Sequence, residues 1–476
     1  MSRLVVVSNR IAIPNNAKQS AGGLAVGIMD ALKNTSGLWF GWNGEISEIS
    51  DEDEDDDLDM VEKDGITYAS VPLNQNDYDL YYCQFSNAVL WPAFHYRIDL
   101  VDFQREAWEG YCRVNELLAK RLQSLIKPDD ILWIHDYHLL PFAAALRKLG
   151  VNNRIGLFLH IPFPTPEIFS AVPTHEQLLE MLCEYDSLGF QTESDRTAFL
   201  DNLAQITPLE QKGDRLHHAF GQRFMTGVYP ISIAPDSIKE MAEGPLSPKM
   251  VVMKEELGDA KNIISCERLD YTKGLPERFL AFEALLENYP QHRGGKVRYS
   301  QIAPTSRGDV QAYQDLRHQL EMEVGRINGK YGSMNRTPLF YLNQNFERRL
   351  LMKIFRLTDV GLVTPLRDGM NLVAKEYVAA QDPEDPGVLV LSRFAGAANE
   401  LTSALIVNPY DRDEVAAALN QALNMPLAER LSRYNDMMDV LHKNDIAHWG
   451  EHYLKDLEAM TPRSSKQKTI VDESNS

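Results

Sequence analysis

The stretch RDGMNLVAKE, residues 367–376, carries more charge than a turn requires. It follows an apolar, strand-like run and precedes a helix-like run. A turn at the end of a parallel strand points backbone N–H groups beyond the sheet and favours a bound anion such as a phosphate. Asp368 would then accept hydrogen bonds from sugar hydroxyls, and Glu376 would hold a ribose diol. The structural alternative is that Asp368 caps the helix and Glu376 complements its dipole.

A second stretch, ERLDYTKGLPERF, places two cations just beyond another strand-like run, NIISC. Arg268 and Lys273 lie five residues apart there. Two such cations offset the negative charge that grows on a diphosphate leaving group as the bond to it breaks. The alternative is a solvated loop in which Lys273 and Gly274 form an ordinary turn.

Two further patterns are typical of anion binding. Gly22 and Gly23, in SAGGLAVG, open a helix-like run and let the backbone approach a phosphate or sugar closely. Arg307 follows another strand end, and with Arg10, at the end of the first strand, it could clamp a phosphate monoester. Either arginine alone is more typical of a structural role. The chain has neither GxGxxG nor a P-loop GK(S/T), so it matches no standard dinucleotide or NTPase site.

Histidines and an aspartate also lie at strand ends. His135, Asp136 and His138 occur in WIHDYHLLPF, and His160 ends the run LFLH. The H-x-x-H spacing is compatible with a metal site, but no third ligand pattern such as HExxH accompanies it. Asp136 is better explained as an acceptor of sugar hydrogen bonds. His160 is either a packing residue or part of the same binding crevice.

The elements that must position these residues alternate between strand-like and helix-like runs, which indicates βαβ units and parallel sheets. A proline-containing break at 234–250 reads as a linker. After it, six strand-like runs follow: KNIISCERLD, KVRYSQIAP, TPLFYLNQ, DVGLVTPL, GVLVLSRF and SALIVNPYD. We therefore expect an α/β protein with two Rossmann-like, doubly wound parallel-sheet domains.

Composition limits the function classes. The chain has 476 residues, too many for one ordinary core, and 68 acidic against 48 basic residues give a net charge of −20. That charge argues against nucleic acid as the main partner. The N-terminal apolar run is too short for a signal peptide, and no run reaches the ~20 residues of a membrane span.

Three other features of the sequence indicate the cellular compartment of the protein and which segments lie outside its folded core. The four cysteines are scattered without a CxxC pair, as expected of reduced thiols in a cytoplasmic protein. The acidic run at 51–60 predicts a solvated loop, and the polar residues from Pro462 onward predict a disordered tail.

Seven motifs together resemble the trehalose-6-phosphate synthase family of retaining glycosyltransferases, over roughly residues 1–460. They are AGGLAVG, WPAFHYR, IHDYHLLPF, FLHIPFPTPEIF, ERLDYTKGLPERF, IAPTSRGDVQAYQ and LRDGMNLVAKEYVA. The resemblance implies a GT-B architecture, with two domains facing across a cleft. Residues 1–240 would form the acceptor side and 241–445 the nucleotide-sugar side. Residues 446–461 would form a helix that packs back on the first domain, and 462–476 a disordered tail.

The resemblance also implies the reaction, transfer of glucose from UDP-glucose to C1 of glucose 6-phosphate, and the residues that bind each substrate. For the donor, Arg268 and Lys273 would grip the diphosphate and Glu376 the ribose. The resemblance also implies that Gly22 and Gly23 close over the diphosphate and that Asp368 and His160 bind the glucose hydroxyls. Three further donor-binding residues would contact the uracil and the diphosphate through their backbones: Phe346, Leu372 and Val373. The acceptor positions that it implies are Arg10, Tyr82 and Arg307 at the phosphate, and Trp91 and Asp136 at the sugar.

Retention usually requires a carboxylate nucleophile beneath C1, and no motif supplies an obvious one. The family is thought to react on one face, without a covalent intermediate, and to need neither a metal nor another cofactor. It is often tetrameric. Three alternatives stay open: ADP-glucose as the donor, glycerol 3-phosphate as the acceptor, and a catalytically inactive sugar-phosphate sensor. A phosphorylase-type enzyme would need a lysine-bound pyridoxal phosphate, for which no motif matches.

Overall fold

The computed structural model of the protein describes residues 2–11, 28, 32, 36–47, 58–248, 250–251, 255, 258, 260–305, 311–334 and 336–463. The chain folds into two compact units. The first unit is formed by Met1–Tyr229 together with the part of the chain from Trp449 onward. The second unit is formed by Pro230–His448.

The described part of the first unit contains a ten-stranded sheet. Its strands are β1 Leu4–Arg10, β2 Leu38–Ser47, β3 Asp59–Lys63, β4 Ile66–Asn74, β5 Ile131–His135, β6 Arg154–Phe158, β7 Ser187–Phe190, β8 Glu210–Lys212, β9 Leu216–Ala219 and β10 Gln222–Val228. Their order is β3-β4-β2-β1-β5-β6-β7-β10-β9-β8, parallel from β4 to β10 and antiparallel at both edges. Strands β1, β5 and β6 are almost wholly buried, which explains why they read as continuous apolar runs.

Helices of the first unit surround this sheet. The longer described α-helices are α1 Arg105–Gln123, α2 Phe142–Lys148, α3 His175–Leu182 and α4 Glu193–Ile206. The short α-helical turns are Gln75–Asp77, Trp91–Phe94 and Pro166–Phe169, and the 3₁₀ turns are Ile98–Leu100 and Tyr137–Leu139. Tyr78–Leu90 forms a π-helix, a wide and rare helix type that no sequence pattern predicted.

The second unit contains a fully parallel sheet of six strands in the order β13-β12-β11-β14-β15-β16. They are β11 Lys261–Cys266, β12 Val297–Ile302, β13 Leu339–Leu342, β14 Val360–Val363, β15 Val388–Ser392 and β16 Leu405–Val407. Each strand lies within one of the six predicted runs. The predicted fold class, two α/β domains with parallel sheets, is therefore confirmed.

The remaining α-helices are α5 Pro235–Ala242, α6 Leu275–Asn288, α7 Gln311–Tyr331, α8 Arg348–Arg356, α9 Leu372–Ala380, α10 Arg412–Leu423, α11 Leu427–Lys443 and α12 Ile446–Ala459. Tyr271–Lys273, Pro290–His292 and Gly396–Asn399 are 3₁₀ turns. From Trp449 onward, α12 belongs to the first unit, where the rings of Trp449 and Tyr453 pack on Trp133 with centroids 5.0 and 5.2 Å away.

Three segments differ from the sequence expectation. The stretch at 234–250, which reads as a linker, contains α5, because a proline in the first turn of a helix is tolerated there. Within the acidic run at 51–60, Asp59 and Met60 belong to the exposed edge strand β3. In the tail predicted to be disordered, Arg463 bonds to Glu184 at 2.5 Å and Asp186 at 3.2 Å. Residues 48–57 and 464–476 lie outside the described residues.

Candidate functional site

A lysine–aspartate pair lies where two strands of the second unit end. Lys273 follows β11, Asp368 follows β14, and the Lys273 Nζ is 2.5 Å from an Asp368 carboxylate oxygen. The two side chains are only 9% and 14% exposed. Gly274 adopts a left-handed conformation beside this pair, and a Cβ there would lie 2.6 Å from the Thr364 carbonyl oxygen. The glycine therefore lets the two loops approach closely.

Further hydrogen bonds close a ring around this pair, which we call the Lys273 hydrogen-bond ring. Asn371 Nδ2 donates to Asp368 at 3.0 Å and to Glu267 at 2.9 Å. The buried Arg278 lies 3.4 Å from Glu267 and donates to the Lys273 carbonyl oxygen at 2.8 Å. The ring thus holds the backbone and the ammonium group of Lys273 at once. Glu267, Arg278 and Asn371 were not among the predicted site residues.

Asn371 also begins α9. Its backbone φ is 74°, and its side chain accepts a hydrogen bond from the Ala374 backbone N–H at 3.3 Å. The structural alternative for Asp368 was therefore wrong, because Asn371 caps the helix. Leu372 and Val373 are the first two helical residues and are half-buried. The first N–H groups of a helix lack intrahelical acceptors, which makes this end suited to an anion.

Glu376 is buried in α9 and pairs with Arg348 of α8, whose Nη2 lies 2.7 Å from the carboxylate. Burial raises the pKa of Glu376, while Arg348 acts in the opposite direction. Arg348 was not predicted, although RR in the run FERRLL could have indicated a cation next to the half-buried Phe346. Arg268 is exposed, two residues beyond the end of β11.

Aromatic side chains surround the predicted acceptor residues of the first unit. Arg10, at the exposed end of β1, lies 5.7 Å from the Trp42 ring centroid. The Tyr82 ring, on the π-helix, packs 6.0 Å from Trp42 and stacks on His138 at 5.7 Å. Trp91 is buried, with the His95 ring 4.1 Å away.

Asp136 and His160 meet because β5 and β6 are neighbours in the sheet. Asp136 has a φ of 75°, and its Oδ1 accepts a hydrogen bond from the His160 backbone N–H at 3.2 Å. The Nδ1 of the buried His135 lies 3.1 Å from His160 Nε2. Burial lowers the pKa of His160 to about 3 and that of His135 well below its usual range, so both rings are neutral near pH 7.

The H-x-x-H spacing does not produce a metal cluster. Within the described ranges, no three His, Cys, Asp or Glu side chains form a group that could hold a metal ion. His135 instead packs in the core, and His138 stacks on Tyr82. None of the described helices is long and apolar enough to cross a membrane.

The structure brings Lys273 and Asp368 into contact, and it brings Asp136 next to His160. It places Arg268, Phe346, Leu372, Val373 and Glu376 in the second unit, and Arg10, Tyr82 and Trp91 in the first. The remaining predicted positions, Gly22, Gly23 and Arg307, lie outside the described residues.

Two parallel-sheet α/β units with cations and carboxylates at strand ends are suited to binding an anionic ligand beyond those ends. The family model described as Glycosyltransferase family 20 matches residues 2–459, and the chain belongs to this family. Trehalose-6-phosphate synthase of Cronobacter sakazakii is 68% identical over 468 residues, which cover 98% of each chain.

Solved structures show the same fold. The E. coli protein bound to UDP-2-fluoro glucose is 68% identical with a TM-score of 0.93, and the match covers 97% of this chain and 100% of that one. The α,α-trehalose-phosphate synthase (UDP-forming) of Burkholderia xenovorans, in complex with glucose-6-phosphate, is 51% identical with a TM-score of 0.92. That match covers 96% of this chain and 100% of the other.

Proposed function

We propose that the protein transfers glucose from UDP-glucose to C1 of glucose 6-phosphate with retention of configuration, giving α,α-trehalose 6-phosphate and UDP. The observation that carries this function is the Lys273–Asp368 pair at two strand ends beside the N-terminus of α9. It occurs in a family 20 chain that is 68% identical to a protein solved with UDP-2-fluoro glucose.

The second unit is the donor side in this proposal. Lys273 and the exposed Arg268 bind the diphosphate, and the N-terminal N–H groups of α9, at Leu372 and Val373, complete its binding. Glu376 binds the ribose, and Phe346 contacts the uracil through its backbone. The pairing of Glu376 with Arg348 supports this role, because it orients the carboxylate and opposes the rise in its pKa that burial causes.

The first unit is the acceptor side. Arg10 and Tyr82 bind the acceptor phosphate together with Arg307, while Trp91 and Asp136 orient the acceptor sugar. Gly22 and Gly23 cover the donor diphosphate. The position of Arg10 over Trp42 supports its role, because the ring surface orients the exposed guanidinium.

The chemistry follows from charge and position. The bond from C1 to the diphosphate oxygen breaks, and the acceptor hydroxyl oxygen bonds to C1 on the same face. The acceptor proton moves to the departing phosphate oxygen, so neither a covalent intermediate nor a cofactor is required. Arg268 and Lys273 stabilise the growing diphosphate charge, while Asp368 and His160 orient the glucose through its hydroxyls.

Compartment and assembly are part of the proposal. The four cysteines, all within the described residues, form no disulfide, and burial raises the pKa of Cys112 and Cys266 to about 12, so these two thiols are unreactive. That pattern fits a reducing cytoplasm. The family resemblance favours a homotetramer.

The test measures UDP release from UDP-glucose with and without glucose 6-phosphate, in the presence of EDTA. Acceptor-dependent release that survives the chelator is the expected result. Arg268→Ala should reduce turnover far more than acceptor binding, whereas the exposed Arg317→Ala, in an i,i+4 pair with Glu321, should change neither. Nucleotide release that occurs only with ADP-glucose as the donor, or only with glycerol 3-phosphate as the acceptor, would contradict the proposed substrates. No nucleotide release with any of these substrates would favour a catalytically inactive sugar-phosphate sensor.

A further inference from the structure

His135, at the end of β5, and His160, just beyond β6, share one hydrogen bond. Its direction determines which ring nitrogen of each histidine carries the proton. His135 Nδ1 and His160 Nε2 are 3.1 Å apart, and both rings are neutral, so one nitrogen donates and the other accepts. Either His135 Nδ1–H donates to His160, or His160 Nε2–H donates to His135. The two arrangements leave opposite protonation states on the remaining ring nitrogens.

The surroundings of His135 decide between them. Its Nε2 is buried, and among the described residues it has no hydrogen-bond partner. The rings of Trp133 and Trp449 pack around it, with centroids 4.6 and 6.3 Å from that of His135. If His160 donated, the His135 proton would sit on Nε2 and an N–H group would be buried without an acceptor. The indole nitrogens of these two neighbours, Trp133 Nε1 and Trp449 Nε1, are donors only and are themselves buried without a hydrogen-bond partner among the described residues. A third N–H there would have no acceptor, whereas an unprotonated Nε2 adds no further buried donor, so the His135 proton belongs on Nδ1.

The same argument fixes the state of His160. Its Nε2 accepts the bond from His135, so its own proton is on Nδ1, the ring nitrogen left for a ligand. The His160 backbone is held as well, because its N–H donates to Asp136 at 3.2 Å. The half-buried ring therefore presents an N–H donor with a fixed orientation.

We infer that His135 is a positioning residue that holds His160 as its Nδ1–H tautomer, so that His160 donates a hydrogen bond to a hydroxyl oxygen of the donor glucose. This role for the sugar contact rests on the proposed function. The tautomer itself does not, because it follows from the His135–His160 contact alone.

The first experiment reads the tautomer directly in the full-length protein. ¹⁵N-labelled histidine is introduced, and the His160 signals are assigned by their loss in His160→Asn. At pH 7, without substrate, His160 is expected to show a protonated Nδ1 and an unprotonated Nε2. A protonated His160 Nε2 would overturn the inference. Because no substrate is present, this result is independent of whether the proposed reaction is correct.

The second experiment uses a matched pair of variants. The amide nitrogen of asparagine occupies nearly the position of imidazole Nδ1, so His135→Asn retains a donor to His160, whereas His135→Leu does not. We expect His135→Leu to lower kcat/KM for UDP-glucose by about tenfold, the effect of one hydrogen bond of about 1.4 kcal/mol. The KM for glucose 6-phosphate should stay unchanged, and His135→Asn should recover most of the loss.

The KM for glucose 6-phosphate controls for folding of the first unit, in which His135 lies, and UDP binding controls for folding of the second unit. UDP-sugars lacking one glucose hydroxyl at a time locate the contact. With the analogue that lacks the hydroxyl bound by His160, the unmodified protein and both variants should have similar kcat/KM values. Equal losses of kcat/KM in the two variants, with an unchanged KM for glucose 6-phosphate, would contradict the positioning role. A tenfold difference in kcat/KM between the unmodified protein and His135→Leu that persists with every analogue would contradict it as well.

Discussion

Replacing Asp368 by asparagine should destabilise the unliganded protein and strengthen its binding of UDP. Asp368→Asn removes the negative charge 2.5 Å from the Lys273 ammonium and keeps nearly the same shape. The side chains of the pair are only 9% and 14% exposed, so the lysine is left largely desolvated without its counter-charge. Breaking a buried ion pair in this way costs about 3–5 kcal/mol, and we take about 3 kcal/mol because both groups retain some contact with solvent.

This loss should be visible in the thermal unfolding of the second unit, Pro230–His448. A domain of this size shifts its Tm by about 2–4 °C for each kcal/mol, so a fall of roughly 6–12 °C is expected. UDP should bind roughly tenfold more tightly, a gain of about 1.4 kcal/mol, because Asp368 no longer competes with the diphosphate for Lys273. Turnover should nevertheless fall, because the variant loses a charged ligand of the glucose hydroxyls.

Differential scanning calorimetry and isothermal titration with UDP measure the two effects. The matched control is Asp385→Asn, which removes the charge from an ion pair with Arg430 in the same unit. Asp385 is 70% exposed, so its loss should cost less than about 1 kcal/mol. An unchanged Tm in Asp368→Asn together with weaker UDP binding would refute the competition between Asp368 and the diphosphate.

Three other predictions concern separate parts of the molecule. Lys375→Met should lower the free energy of unfolding in urea by about 3–5 kcal/mol, because it leaves the 10% exposed Glu400 without its counter-charge, and adding Glu400→Gln should restore part of the loss. The folded-state pKa of His160, about 3, lies below its ordinary value of 6.5, so its neutral ring contributes stability that is lost as the pH falls below about 6.5, by about 2 kcal/mol at pH 5. The pKa of His135 is lowered as well, so His160→Asn should make the pH dependence shallower without abolishing it, and an equal slope in both proteins would contradict the assignment. Gly44→Ala would place a Cβ against the Arg10 guanidinium and should raise the KM for glucose 6-phosphate roughly tenfold without changing that for UDP-glucose.

The sequence alone was sufficient for the fold class, and it placed several candidate site residues at strand ends. Strands buried on both faces read as apolar runs, which is why the six strands of the second unit could be placed before the structure was known. Because parallel strands present their carboxyl ends at one edge of a sheet, residues just beyond them, such as Lys273 and Asp368, could be expected to lie together. The π-helix at Tyr78–Leu90 had no comparable local pattern.

Only the tertiary structure decided which side chains support the site. Asn371 bonds to Glu267 although 104 positions separate them, because β11 and β14 are neighbours in the sheet while two other strands intervene in the chain. The contact between His135 and His160 likewise depends on the pairing of β5 with β6. Local patterns specify strands and turns, but the order and register of strands follow from the packing of the whole sheet. These partners, and the proton positions that they fix, therefore emerged only from the folded chain.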